Sequence, residues 1–520
     1  MKKLCLFVSA FFTLSVFAQQ EKIDVETINK IKNEGLNNSR IMEIAFQLTD
    51  VSGPRLTNSP GWFRAATYSV TQLKKWGVDN ASLDEWGDFG LGWELKKSYV
   101  AMSVPYYKPI TAYPKTWTKS TNGLVSAEVV LVNVKDSTDL VKYKGKLAGK
   151  IVLLYRNDTL KQSFRPDASR YTDSQLDSLA NIIPKPAPAP SPGRGISRDL
   201  ILLQRLNTLT KQMAEEEGAV ALLTRDLRGH DGTVFVQGPT GLRQPLADGN
   251  YALLELSVGL EDYLMITRLV KEGYPVKLDL DVQSQFTGNN TKAYNVIGEI
   301  KGTDPKLKDE VVMLGAHLDS WHSSTGATDN AAGSAVMLEA IRILKALNIK
   351  PRRTIRIALW SGEEQGLRGS RGYVKKYFGD RATLQLKPEQ ANISAYYNID
   401  NGTGKIRGVY LQGNEKVKDI FAQWLQPFND MGAKTVTLSG TGSTDHVSFD
   451  EVGIPGFQFI QDQIEYFTRT HHSNMDSYDH LIADDLKQMA TIVAAFVYNT
   501  AQRDEKLPRK ELPKVKTTSN

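Results

Sequence analysis

Histidines and carboxylates that could bind a metal are concentrated in the C-terminal half of this 520-residue chain. Six of the seven histidines lie after residue 316. His317 and Asp319 come directly after the apolar run 311–316, and Asp400 follows the run 395–399. One His-x-Asp pair is weak evidence, because such pairs are common in structural roles. Several such groups at separate strand ends are unlikely to occur by chance on an ordinary protein surface, so together they indicate a metal site.

Further groups of this kind lie at the ends of predicted elements or in loops: Asp329, Glu363, Glu364, His471 and His472. Taken alone, Asp329 could be the N-cap of the helix that follows it. Zinc binds imidazole nitrogen and carboxylate oxygen at about 2.0–2.2 Å. Two ions about 3.5–4 Å apart can hold both the attacking and the leaving oxygen of a hydrolysis. Two histidines and three acids from one sheet edge would supply such a site, and one of the two adjacent glutamates would be left as a general base.

Strand-like and helix-like segments alternate from about residue 293 onward. This alternation predicts an α/β domain with helices on both faces of a mostly parallel sheet. The predicted strands are 296–300, 311–315, 354–359, 394–399, 408–411 and 456–460. The predicted helices start near Asn330, Gln365, Lys416 and Asp484. Active sites of such folds lie beyond the carboxyl ends of the strands, which is where the candidate groups fall.

The chain before this segment has two parts of different character. Residues 21–76 are predicted to be largely helical, because apolar residues recur there with helical spacing. Residues 122–285 contain short strand-like runs, and the proline-rich stretch 183–195 is expected to be extended and exposed. The predicted boundaries are 19–121 for the N-terminal part of the catalytic domain, 122–285 for an inserted domain and 286–505 for the rest of the catalytic domain.

The first residues have the composition of a secretory signal peptide. Lys2 and Lys3 precede an uncharged, mostly apolar run at 4–17, and residues 1–18 are predicted to be removed. Their removal would take away Cys5, the single cysteine, so the mature chain could form no disulfide and use no thiol chemistry. We therefore expect a secreted or periplasmic protein.

The remaining composition argues against two classes of partner. A formal net charge of +6 is small for this length and predicts no nucleic-acid partner. The body of the chain lacks the roughly 18 consecutive apolar residues that a membrane span needs. The basic stretch 506–520 is expected to be a solvated tail.

Several segments that carry the candidate groups resemble one known family. These segments are Gly315-Ala-His-Leu-Asp-Ser, Gly326-Ala-Thr-Asp-Asn-Ala-Ala-Gly, Ser361-Gly-Glu-Glu-Gln-Gly, Asn398-Ile-Asp, and Asp445-His446 with Gly453-Ile-Pro. Together they resemble the co-catalytic zinc aminopeptidase family, in particular its carboxypeptidase Q type with an inserted protease-associated domain. The resemblance covers about residues 295–500. It implies an α/β fold with a mixed, mostly parallel sheet flanked by helices, and a β-rich protease-associated insert.

The resemblance also implies a metal-binding role for five residues. Asp329 would bridge two zinc ions. His317 and Asp400 would hold one ion, and Glu364 and His472 would hold the other.

Three further residues receive catalytic or orienting roles. Glu363 is implied as the general base, and Asp319 would orient His317 and fix the tautomer of its ring. Many family members place a tyrosine near the last metal histidine, whereas here the preceding residue is His471. We therefore predict that His471 donates to the tetrahedral intermediate. The alternative is that His471 is the ligand in place of His472.

The other histidines carry weaker predictions. Asp445 and His446 are equally well explained as pocket-shaping residues or, for His446, as a buried histidine with satisfied hydrogen bonds. His230, His322 and His480 are predicted to be structural or exposed.

The predicted activity is hydrolysis of unblocked dipeptides or short peptides by metal-activated water. Whether the amino or the carboxyl terminus is read stays open, as does the formation of a homodimer. Two alternatives are a single-zinc acyltransferase of the glutaminyl cyclase type and a non-catalytic receptor-like relative. The complete ligand set and Glu363 argue against the second.

Overall fold

The computed structural model describes residues 20–156, 159–183, 198–226, 228–241, 245 and 253–512. The predicted signal peptide, most of the proline-rich stretch and the end of the predicted tail lie outside the described residues. The helices are α1 Val25–Asn37, α2 Ile41–Phe46, α3 Pro60–Lys75, α4 Asp173–Ala180, α5 Arg198–Glu216, α6 Leu260–Lys271, α7 Ala332–Ala346, α8 Arg368–Tyr377, α9 Lys418–Leu425, α10 His446–Asp450 and α11 Ala483–Gln502.

The strands range from two residues in β3 to thirteen residues in β2. They are β1 Asp79–Asp88, β2 Gly92–Val104, β3 Lys108–Pro109, β4 Ala112–Pro114, β5 Val125–Val132, β6 Ile151–Leu154, β7 Ala221–Thr224, β8 Glu255–Val258, β9 Lys277–Thr287, β10 Lys292–Ile300, β11 Val311–His317, β12 Thr354–Trp360, β13 Gly379–Asp380, β14 Gln385–Leu386, β15 Ile393–Asn398, β16 Ile406–Tyr410, β17 Thr435–Thr437 and β18 Gly456–Gln461.

The first sheet has eight strands in the order β1-β10-β12-β11-β15-β18-β16-β17. Four neighbouring pairs are parallel: β12 with β11, β11 with β15, β15 with β18, and β16 with β17. The edge pair β1 with β10, the pair β10 with β12, and the pair β16 with β18 are antiparallel. The predicted α/β fold with a mixed, mostly parallel sheet is therefore confirmed.

The core of this sheet explains its central strands. Every residue of β11 is buried, as expected for a parallel strand covered on both faces. On one face lies α7, whose residues from Ala332 to Leu344 are all buried. A helix that is buried on all sides belongs inside a helical layer, and α7 contacts α1, α2 and α11. On the other face, α8 and α10 cover β12 and β15 through side chains such as Tyr373 and Phe449.

The second sheet has the order β3-β2-β9-β5-β6-β7-β8-β4. Its strands β5 to β8 are parallel neighbours, and α6 packs on it through Tyr263 and Ile266. Three of its strands, β2 to β4, lie before residue 122, so this sheet begins earlier than the predicted insert. Strand β2 was not predicted because its middle, around Lys96 and Lys97, is solvent-exposed and polar. The division of the chain into domains stays a prediction.

The predicted solvated tail is wrong for the residues that follow α11 directly. Leu507 is only 2% exposed and belongs to the main core. Arg509 donates to the carbonyl oxygen of Ile393 at 2.7 Å, and Lys510 pairs with Asp450 at 2.7 Å. The basic side chains of this segment therefore bind the protein surface instead of extending into solvent. Among the residues that the structure describes, no helix has the length and apolar character needed to cross a membrane.

Candidate metal centre and active site

Three neighbouring parallel strands deliver the candidate groups to one edge of the first sheet. His317 is the last residue of β11, Glu363 lies just beyond the end of β12, and Asp400 lies just beyond β15. Because β12, β11 and β15 are consecutive and parallel, their carboxyl ends meet at one edge. The placement expected for an active site in this fold is therefore present.

Asp329 reaches the same edge from the segment in front of α7. The cap position of α7 is occupied by Ala331, without a side-chain hydrogen bond, so Asp329 is not the N-cap of this helix. Gly333, in the first turn, packs directly on the main chain of Ile399. A Cβ added to Gly333 would lie 2.4 Å from the Ile399 carbonyl oxygen. This close approach brings the segment that carries Asp329 next to Asp400.

His317 forms the first half of the centre with two carboxylates. Its Nε2 lies 3.3 Å from Oδ1 of Asp400 and 3.4 Å from Oδ1 of Asp329. One nitrogen and two oxygens from these three residues lie within 4.8 Å of one another. The three side chains are therefore close enough to hold one metal ion.

His472 forms the second half of the centre. Its Nε2 lies 2.8 Å from Oε2 of Glu364 and 3.3 Å from Oδ2 of Asp329. Asp329 thus turns one carboxylate oxygen toward each half, which is the arrangement that a bridging ligand needs.

Unsatisfied oxygens provide a test of whether these residues fit a metal pair. Oδ2 of Asp329 and Oε1 of Glu364 are buried and form no hydrogen bond within the described part of the chain. A buried carboxylate oxygen is costly unless it is hydrogen-bonded or coordinates a metal. The groups that converge here are imidazole nitrogen and carboxylate oxygen, which are ligand types of zinc. The residues therefore fit two zinc ions.

The charge balance supports the same interpretation. Burial raises the pKa of the Glu363 and Glu364 carboxyls well above the usual range, and for Glu364 the nearby Asp329 adds to the effect. Burial also raises the pKa of Asp445 to about 7. So many buried acids can ionise together only where cations compensate their charge.

Glu363 lies apart from the closest contacts of the centre. Its Oε2 is 3.9 Å from Nε2 of His317, farther than the ligand carboxylates. The adjacent Glu364 contacts the other half of the centre at His472. The two neighbouring glutamates are thus divided between different positions, as expected if only one of them binds metal.

Asp319 acts on the centre in two ways, one of which the sequence did not predict. Nδ1 of His317 lies 2.9 Å from the main-chain carbonyl oxygen of Asp319, whereas the carboxylate oxygen is 3.7 Å away. The carboxylate instead accepts from the main-chain N–H groups of Glu363 and Glu364 at 3.3 and 3.4 Å, and from Thr57 at 3.1 Å. Asp319 therefore orients His317 through its carbonyl group and holds the glutamate pair through its side chain.

Two buried charged residues fix the backbone around Asp329. The carboxylate of Asp476 accepts from the main-chain N–H groups of Thr328 at 2.6 Å and Asp329 at 3.0 Å. Arg55 is fully buried and donates to four main-chain carbonyls, those of Leu48, Leu318, Thr325 and Gly326. Sequence patterns give no signal for either residue, because both act on main-chain atoms far away in the chain.

Tyr466 is a functional candidate that sequence reasoning missed. It begins the turn 466–470 that leads from β18 to the histidine pair, and its side chain is 5% exposed. Its hydroxyl lies 3.5 Å from Oδ1 of Asp400. Burial raises the pKa of this phenol well above its usual value, and Asp329 adds to the effect, so the hydroxyl keeps its proton. A protonated tyrosine hydroxyl therefore lies at the centre, although the sequence analysis assigned the corresponding donor role to His471 alone.

His471 stacks on His472, with ring centroids 3.6 Å apart. Its Nδ1 lies 3.4 Å from Nη1 of Arg228. Burial, with His472 and Arg228 adding to the effect, lowers the pKa of His471 to about 4. Because a guanidinium can only donate, Nδ1 accepts and the proton of the neutral ring lies on Nε2. His471 is thus able to donate a hydrogen bond, as the proposed oxyanion role requires.

A segment that follows β7 in the second sheet completes the surroundings of the histidine pair. Phe235 and Ser473 form an antiparallel bridge, and the N–H of Val236 donates to the carbonyl oxygen of His472 at 2.8 Å. The side-chain amide of Gln237 contacts Nδ1 of His472. His472 has a φ of +63°, an uncommon conformation for a residue with a side chain. The bridge to Phe235 and Val236 holds it there, and nothing local in the sequence predicts this contact.

The other histidines are accounted for by local contacts. His446 is buried, and its Nε2 contacts the side chain of Gln412 and the carbonyl of Thr441, but its Nδ1 has no partner among the described residues, so both explanations stay predictions. His322 contacts the carbonyl of Pro114 at 2.6 Å, and burial lowers its pKa to about 4. His230 and His480 contact the carboxylates of Asp231 and Glu465. None of these contacts involves the proposed metal ligands.

Comparison with known proteins is consistent with this geometry. Residues 295–497 match peptidase family M28. Carboxypeptidase Q of Mus musculus is 27% identical over 345 residues, which cover 61% of this chain and 70% of that protein. Matches to other carboxypeptidase Q sequences cover 51–59% of those proteins, so much of their length has no counterpart in the match.

Solved structures agree with the fold over nearly the whole chain. The peptidase M28 precursor of Shewanella amazonensis SB2B superposes with a TM-score of 0.66 at 23% identity, covering 94% of this chain and 98% of that one. A zinc aminopeptidase from Bacillus subtilis superposes with a TM-score of 0.55 at 20% identity, covering 91% and 97% of the two chains. The described chain therefore has the fold of these peptidases.

Proposed function

We propose that the protein is a secreted zinc exopeptidase that hydrolyses unblocked dipeptides or short peptides with two ions per chain, a proposal that the match of residues 295–497 to peptidase family M28 supports. The proposal is carried by Asp329: one of its carboxylate oxygens faces His317 and the other faces His472. The names of the matched relatives, carboxypeptidase Q and zinc aminopeptidase, support an exopeptidase.

The proposed ligands are His317 and Asp400 on one ion, Glu364 and His472 on the other, and Asp329 between them. When bound, such a pair polarises the scissile carbonyl and lowers the pKa of a water molecule. Each proposed ligand imidazole presents its Nε2 to the carboxylates of the centre. Their Nδ1 atoms are left for orienting contacts with Asp319 and Gln237.

Glu363 is proposed as the general base. It would take a proton from the attacking water and return it to the leaving amine. Burial raises its pKa well above the usual value, which suits a group that must take up and release a proton during the reaction.

Tyr466 and His471 are proposed as donors to the oxyanion of the tetrahedral intermediate. The Tyr466 hydroxyl lies beside Asp400, and the proton of His471 lies on Nε2 because Arg228 faces Nδ1. Two donors that are fixed before the reaction would stabilise the developing charge better than water does.

The deciding experiment is hydrolysis of a panel of dipeptides and end-blocked peptides by the mature chain, with and without chelator. We expect hydrolysis of the unblocked dipeptides, loss of activity with chelator, recovery with zinc, and two zinc ions per chain by elemental analysis. One zinc per chain with cyclisation of an N-terminal glutamine would instead establish the acyltransferase alternative. Failure of the zinc-loaded protein to cleave any peptide would favour the receptor-like alternative.

A further inference from the structure

We propose that Arg228 recognises the free carboxylate of the substrate and thereby makes the enzyme read the carboxyl terminus of dipeptides. This inference rests on the proposed peptidase function and extends it, because neither the fold nor the ligand set decides which terminus is read.

Arg228 is held beside the centre by the segment that bridges the two sheets. The bridge between Phe235 and Ser473 fixes this segment against the histidine pair. The guanidinium carbon of Arg228 lies 3.9 Å from the centroid of the Phe235 ring. Its Nη1 faces His471, whose ring stacks on the proposed ligand His472. The positive charge is therefore separated from the ligand set by one imidazole ring.

The guanidinium retains donors that a substrate could use. Nε lies 3.1 Å from Oδ1 of Asp226, Nη2 lies 3.5 Å from Oδ2 of the same residue, and Nη1 contacts His471. These contacts use three of the five N–H groups that a guanidinium carries. The side chain is 38% exposed, so the remaining donors are accessible from solvent. Asp226 and Phe235 hold the group in one orientation, which reduces the entropy lost on binding.

A dipeptide carries its terminal carboxylate close to the carbonyl that is attacked. An extended residue spans about 3.3–3.6 Å, so the terminal carboxylate of a dipeptide lies about one residue from the carbonyl under attack. Arginine binds carboxylates through two parallel N–H···O bonds, which favours it over lysine for this task. A second cation near the centre, Arg55, is fully buried and already donates to main-chain carbonyls, so it is not accessible to substrate.

The test compares Ala-Leu with its C-terminal amide, Ala-Leu-NH2, in the zinc-loaded full-length mature chain. We expect the wild type to prefer the free acid in kcat/KM by about 10- to 100-fold, the range of a hydrogen bond to a charged group. Arg228→Gln should lose most of this preference, because KM should rise more for the acid than for the amide, whereas any loss of kcat through His471 should be equal for the two substrates. Arg228→Lys should restore part of it. The exposed Arg268 of α6 provides the matched control, and Arg268→Gln should retain the full preference.

Three results would overturn the inference. Equal kcat/KM for acid and amide in the wild type would do so without any variant, which matters if Arg228→Gln does not fold. An equal loss on both substrates in Arg228→Gln, with loss of bound zinc, would show that the residue only holds the histidine pair. In both cases hydrolysis by the wild type would leave the proposed peptidase function intact. If the wild type cleaved neither Ala-Leu nor its amide nor the rest of the panel, both proposals would fall.

Discussion

Replacement of Gln237 by Ala should weaken zinc binding although this residue is not a proposed ligand. Nε2 of His472 faces Glu364 and Asp329, so the ring must carry its proton on Nδ1 when a metal is bound. The side-chain amide of Gln237 contacts that Nδ1. The oxygen and nitrogen of an amide exchange places by a half-turn, so Gln237 can present its oxygen to the Nδ1 proton.

The expected magnitude follows from the role of such contacts. Loss of an orienting partner of a metal-bound histidine weakens metal affinity by about 10- to 100-fold, which corresponds to about 1.4–2.7 kcal/mol. Only one half of the proposed centre depends on Gln237, because Nδ1 of His317 contacts the carbonyl of Asp319 instead. We therefore expect one zinc ion of the pair to weaken and the other to keep its affinity.

The assay is competition of the protein with a chelator of known zinc affinity, resolved into two binding steps. Gln237→Glu should restore tight binding, because a carboxylate also accepts from Nδ1. Gln285→Ala, on an exposed residue of β9 that contacts Glu94, is the matched control and should bind zinc as the wild type does. Unchanged binding in folded Gln237→Ala, or equal weakening of both steps, would refute the reasoning.

The remaining predictions concern the proposed catalytic groups. Glu363→Gln should lower kcat by about 10²–10⁴-fold while elemental analysis still finds two zinc ions, and loss of zinc would make Glu363 a ligand instead. Tyr466→Phe and His471→Ala should each lower kcat with little change in zinc content, by up to about 10²–10³-fold for the dominant oxyanion donor. Loss of zinc in His471→Ala, together with retention in a His472 variant, would exchange the two histidine assignments. Asp319→Asn should keep bound zinc, because the carbonyl at His317 remains, but should lower kcat as the Glu363 backbone loses its carboxylate acceptor; retained kcat would contradict this role.

The positions of the histidine and the carboxylates at the strand ends could be predicted from the sequence, because the apolar runs before them are central strands of the sheet in the structure as well. A run such as Val311–Ala316, apolar at every position, is typical of a central parallel strand, and the carboxyl ends of such strands meet. His317, Glu364 and Asp400 therefore come together with no long-range information beyond the fold class.

The residues that were missed act through contacts that local patterns do not encode. Tyr466 lies in an irregular turn without strand or helix periodicity. Gln237 and Arg228 approach the histidine pair from more than 230 positions away in the chain. The edge strand β1 was missed because most of its exposed positions are polar, as at Asn80 and Glu85. In each case the residue is positioned by contacts between segments that are distant in the chain, and one sequence alone does not reveal such contacts.

The bridge at Phe235 and Ser473 also has a thermodynamic consequence. Zinc bound by His472 would stabilise the conformation in which the carbonyl oxygen of His472 also accepts the N–H of Val236. Any ligand that binds the folded form alone adds its binding free energy to the stability of that form. The metal would thus stabilise the packing between the two sheets as well as supply chemistry. Conversely, any change that stabilises the packing between the two sheets raises the affinity for the metal by the same free energy.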